Sequence, residues 1–245
     1  MTPSDGTDSP PRRRRVLVAV LAVLAVVAVV AVVYGPAFYR DVIVGEQPPP
    51  PAIATPTTAE SDAPDETGAK GAGSAAEDLA GTWSVGSGSY AGYRLEEVLR
   101  GTDVTVVGRT EQVTGELTVE DETLASALVT VDVASITTDS SNRDNYFRGT
   151  ALRTDTYPTA TFELTEPVDL PGGAGTVSAT GDLTIAGVTQ TVTAELEVAF
   201  DGDRVQVAGS VPITFADFGV DAPDLGFVSV EPTGFVELHL FLERA

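Results

Sequence analysis

From Gly81 to Ala245 apolar and polar residues alternate with a period of two, and the alternation is broken mainly by Gly and Asp. This pattern limits the fold more than any other feature. Successive side chains of a strand point to opposite faces, so each run presents one apolar face that must find a core. In Thr191 to Phe200, Val192, Ala194, Leu196, Val198 and Phe200 share one face, while Thr193, Glu195 and Glu197 share the other. Asp201-Gly202 then turns the chain into Arg204 to Phe215, where Val205, Val207, Val211 and Ile213 alternate again, a hairpin signature. Further strands are predicted at Val104–Gly108, Val113–Val119, Leu124–Ile136, Thr159–Leu164, Thr176–Ile185 and Phe235–Leu242, for a total of about eight. Strands of this length joined by short turns make an all-β domain over 81–245, either a closed antiparallel barrel or a two-layer sandwich, and only closure removes exposed edges. One segment, Asp139–Gly149, departs from the alternation. Its Asp and Ser suit an N-cap and its Gly suits the position after a helix, which predicts one or two helical turns.

The chain before residue 81 has a different composition. Val16 to Val33 is an unbroken run of Val, Ala and Leu, about 27 Å long as a helix, and Arg12 to Arg15 precede it. The expectation is an uncleaved signal anchor: residues 1–15 cytoplasmic, 16–34 transmembrane, and everything beyond on the outer side. A cleaved signal peptide is the competing reading, but the apolar run is long and lacks a small-x-small processing site. Residues 35–80 are rich in Pro, Ala and Gly and have few large apolar side chains, so they are expected to be a disordered linker that contributes nothing to a core.

The chemistry-bearing residues exclude more than they propose. The chain has no Cys and one His, so it offers no disulfide, no thiol catalysis and no multi-histidine metal site. A net charge of −22, most of it beyond residue 80, opposes nucleic acid and anionic lipid surfaces. His239 sits on the last predicted strand and reads as structural, and no GxSxG elbow supports a Ser-His-Asp site. Asp217, Asp221 and Asp224 lack EF-hand spacing and read as a solvated acidic loop rather than a Ca²⁺ site. Arg143 and Asp144, in the helical segment, either anchor the polar end of a ligand or tie the helix to the barrel, with the tie favoured. No cofactor or metal is expected. The faces carrying Phe162 and Leu164, Leu183 and Ile185, and Val192, Leu196 and Val198 alternate against Thr, Glu and Asp, and are expected to line the interior, where a barrel of this size can enclose one small ligand.

A set of motifs carries a resemblance. Trp83, Gly115-Glu116-Leu117, Val131 to Asp139, Arg143-Asp144, Tyr157 to Phe162, Gly181 to Thr189 and Asp217 to Val220 occur in the order seen in the YceI-like lipid-binding family, which the region 81–245 resembles. The resemblance implies a lipocalin-like antiparallel barrel whose apolar lumen holds a polyisoprenoid or other long-chain amphiphile, in the bacterial envelope. It also implies that Trp83 is a core or lumen aromatic. In place of the His-Ser pair that many members carry after the opening Trp, this chain has Ser84 to Arg94 without a His, and Phe147 stands in for a Leu after Arg143-Asp144. The alternatives to a lipid carrier or sensor are a structural or stress-protective β module with a plugged interior and a hydrolase built on paired carboxylates.

Overall fold

The structure, a computed structural model, describes residues 47–53, 79–170, 172, 174–201 and 204–245. The expected cytoplasmic terminus and transmembrane helix, and most of the linker, lie outside the described residues. Among the described residues no helix is long and apolar enough to cross a membrane.

The domain consists of antiparallel strands β1 (Gly81–Val85), β2 (Tyr90–Leu99), β3 (Thr102–Thr110), β4 (Val113–Glu120), β5 (Thr123–Asp132), β6 (Thr159–Leu164), β7 (Val168–Asp169), β8 (Gly175–Ile185), β9 (Val188–Asp201), β10 (Arg204–Thr214) and β11 (Val228–Arg244). Eight of them close a ring in the order β1-β4-β5-β6-β8-β9-β10-β11, with β11 returning to β1. The ring decides for the barrel and against the sandwich. β11, 17 residues long, is the stave on which the closure depends. One edge pairs with β10 from Arg204↔Glu243 to Thr214↔Thr233. The other pairs first with β2, from Val228↔Leu99 to His239↔Tyr90, and then with β1, from Val85↔Leu242 to Trp83↔Arg244. β1 and β2 are therefore two halves of one neighbour, separated by a turn that contains Gly88 at φ 85°. The sequence reading missed both halves, since the Gly and Ser residues between them hide the alternation.

Local departures have physical causes. The strand expected over Leu124–Ile136 stops at Asp132, whose carboxylate accepts from the Ala134 N–H at 3.0 Å and turns Val133–Ser135 into a 3₁₀ turn. The helix α1 (Ser141–Tyr146) continues into a π-helical turn over Phe147–Ala151, so Gly149 lies inside that turn and does not end the helix. Ser140 occupies the N-cap position without a capping side-chain bond; instead Asp144, buried, accepts from the Thr138 N–H at 2.9 Å and Oγ1 at 2.8 Å. Leu79, in the range assigned to a linker without core residues, belongs to the core: it is 9% exposed, and its carbonyl accepts from Trp83 Nε1 at 3.0 Å.

Two apolar clusters occupy successive levels of the barrel. One gathers Leu79, Trp83, Leu117, Val198, Leu240 and Leu242. The other, beneath the helical segment, gathers Val133, Ile136, Leu152, Leu183, Ile185 and Phe218.

Candidate ligand-binding lumen

Trp83, Phe162, Leu164, Leu183, Ile185, Val192, Leu196 and Val198 all border one cavity of about 670 Å³, within the size range of small-molecule sites. Strand periodicity produces this directly. Val192, Ala194, Leu196, Val198 and Phe200 of β9 all face inward, whereas Thr193, Glu195 and Glu197 are exposed. The eight-residue rise from Val192 to Phe200 makes this apolar wall about 27 Å long. Gly181 is needed for this lining. A Cβ there would lie 2.5 Å from Phe162 Cζ and 2.5 Å from the Glu163 carbonyl oxygen, because the Phe162 ring lies across the neighbouring strand at that residue.

Leu225 and Tyr146 border the cavity while remaining 59% and 37% exposed, so their end is the mouth. Trp83, Leu79 and Leu242 border it at the opposite level. The β2 contribution, Ala91, Tyr93, Leu95, Glu97 and Leu99, was missed in the sequence reading. Its alternation is present but is interrupted by Glu97 at an inward position.

Polar groups within the lining are few and engaged. Glu97 accepts from Arg143 Nη2 at 2.8 Å, and Arg143 Nη1 reaches Asp139 at 2.6 Å. Arg143 thus ties α1 across to β2, and Asp144, which does not border the cavity, fastens the start of the helix to Thr138. Tyr93 stacks on Phe147 with ring centroids 4.8 Å apart. Burial pushes the Tyr93 phenol well above its ordinary range, and the nearby Arg143 opposes that shift only in part. Of the acidic triplet, only Asp221 borders the cavity, and Asp224 accepts from the Gly226 N–H at 3.0 Å. Among the described residues no group of three or more His, Asp or Glu side chains is placed to hold a metal ion.

The arrangement is a long apolar tube with a polar tie near its mouth. The YceI-like domain family matches residues 87–242, more than half of the chain. The chain belongs to that family. The YceI-like barrel is 31% identical over 147 residues to a UPF0312 protein of Vibrio parahaemolyticus, a match covering 56% of this chain and 73% of the relative. In fold it is similar to BcnA of Burkholderia cenocepacia, with a TM-score of 0.50 and 26% identity, over 61% of this chain and 95% of BcnA. It is also similar in fold to a polyisoprenoid binding domain from Saccharophagus degradans implicated in plant cell wall breakdown, with a TM-score of 0.55 and 20% identity, over 66% and 98% of the two chains.

Proposed function

We propose that this YceI-like barrel sequesters or carries an isoprenoid-type or similar long-chain lipid, held in the lumen by burial and released without covalent change. Binding, not catalysis, is its activity. The observation that carries the proposal is the continuous apolar lining from Trp83 to Leu225, broken only by groups already paired with one another or set at the mouth. Each methylene transferred from water into such a lining gains about 0.8 kcal/mol. A tube is therefore selective for length and flexibility more than for a headgroup. Family membership and the polyisoprenoid-binding fold neighbour support the ligand class. The same proposal includes residues 16–34, with the Val/Ala/Leu run Val16 to Val33, as a membrane anchor that places the barrel on the outer side, on the strength of its length and of Arg12 to Arg15. Native mass spectrometry of the full chain, followed by lipid extraction, tests the ligand. A long-chain lipid bound one per barrel is expected. A protein that carries no extractable lipid and takes none up from mixed micelles of polyprenol would overturn the proposal.

A further inference from the structure

Glu237 is the most deeply buried charged side chain of the described residues, 0% exposed, yet it does not face the lumen. It lies on the outer face of β11, between Arg94 of β2 and Arg109 of β3. Arg94 Nε donates to one carboxylate oxygen at 2.5 Å, and Arg109 Nη2 donates to the other at 3.2 Å. A charge on an outer wall needs a cover to reach zero exposure, and the chain supplies one. Arg94 Nη2 also donates to the Pro48 carbonyl at 2.6 Å, and Arg109 Nη2 to the Pro49 carbonyl at 3.1 Å. On β9, Glu197 accepts from the Ile53 N–H at 2.8 Å.

These contacts follow from the chemistry of the segment Gln47-Pro48-Pro49-Pro50-Pro51-Ala52-Ile53. A proline run has no N–H and, in the extended polyproline form, no internal hydrogen bonds, so its carbonyls seek external donors. The two arginines provide them where the run begins. After the prolines an N–H becomes available again, and Glu197 accepts it. Donors at one end and an acceptor at the other fix the direction of the segment. The prolines arrive pre-extended, which lowers the entropy lost on docking.

We propose that the outer wall formed by Arg94, Arg109, Glu237 and Glu197 is a binding site for an extended proline-rich segment, and that residues 47–53 of the same chain occupy it as a strap. Whatever precedes residue 47 then attaches to the side of the barrel rather than to the start of β1.

The absence of native Cys permits a clean test in the full chain in dodecyl maltoside micelles. Spin labels on Ala52→Cys and Asp103→Cys, both exposed positions, give a narrow distance distribution by double electron–electron resonance if the strap is docked. Arg94→Gln with Arg109→Gln should broaden it several-fold. Because that pair of changes also disturbs Glu237, a second variant leaves the wall intact: Pro48→Gly, Pro49→Ser, Pro50→Gly and Pro51→Ser should broaden the distribution with the β-sheet circular dichroism unchanged. A wild-type distribution as broad as that of the Gly/Ser variant overturns the proposal, as does a narrow one that survives both sets of changes. A narrow distance that vanishes on dilution with unlabelled chain assigns the occupant to a second copy and overturns the same-chain assignment.

Discussion

The inner face of β9 and the outer face of β11 belong to one barrel wall but follow opposite rules. On β9 the inward side chains are apolar and the outward ones meet water, so burial and hydrophobicity coincide. On β11 the outward Glu237 is more buried than several lumen residues, because two arginines and a proline segment lie over it. Burial in a barrel therefore has two sources, the enclosed volume and whatever lies against the outside. Apolar content identifies only the first.

The largest effect that separates the two faces comes from the outer charges. Arg94→Leu with Arg109→Leu leaves Glu237 buried without a cation and should cost about 3–5 kcal/mol, read as a fall in urea midpoint at constant m-value. Adding Glu237→Leu to that background should recover most of the loss. If it recovers none, the carboxylate is not the reason for the instability. On the inner face, Leu196→Glu puts a carboxylate among apolar side chains, where ionisation is unfavourable. Polyprenol binding should fall by a hundredfold, about 2.7 kcal/mol, while circular dichroism retains the sheet. Its neighbour Glu197→Leu, on the outer face, should leave polyprenol affinity within about twofold. Equal losses from both would show that the two faces are not functionally distinct.

Smaller effects sharpen the same division. A fragment beginning at Asp78 keeps Leu79 under Trp83, and one beginning at Gly81 does not. Burial of a leucine contributes about 1.5–3 kcal/mol, so the shorter fragment should melt lower in calorimetry. Equal melting temperatures would remove Leu79 from the core in energetic terms. The smallest effect is on the outer wall. Burial, and secondarily Arg109, hold the His239 imidazole below its ordinary pKa of 6.5. Protonation therefore favours the unfolded chain, and stability present above about pH 6.5 falls as pH drops through the lowered folded value. As the sole imidazole in the chain, His239 can be titrated by proton NMR without assignment ambiguity. A midpoint below 6.5 is expected, and Arg109→Gln should raise it.

The difference between the faces also explains what the sequence revealed. Phe162, Leu164, Leu183, Ile185, Val192, Leu196 and Val198 were legible as lining because their neighbours are polar, and they all border the cavity. β2 was not legible, since Glu97 stands where an apolar inward residue is expected and its charge is balanced by Arg143 from a distant helix. The burial of Glu237 was not legible either, because nothing in the local pattern shows that Arg94, Arg109 and Pro48 converge on it. Periodicity reports each residue against its sequence neighbours, whereas these contacts join segments that are far apart in the chain.

The pairing of β1 with the end of β11 governs the order in which the molecule can be made. Trp83 meets Arg244, so strands from opposite ends of the domain form one seam. Until Leu242 to Arg244 of β11 are paired, β1 has an unpaired edge and the lumen-facing side chains have no enclosed volume to fill. Local hairpins such as β8–β9, turned through Ala186-Gly187 with both φ values positive, can form early. Closure cannot, because loop-closure entropy must be overcome before such long-range pairs contribute stability. The lumen thus exists as an enclosed volume only once this seam has formed, late in folding. Breaking the pairs from Val85↔Leu242 to Trp83↔Arg244 would therefore open the barrel along its side.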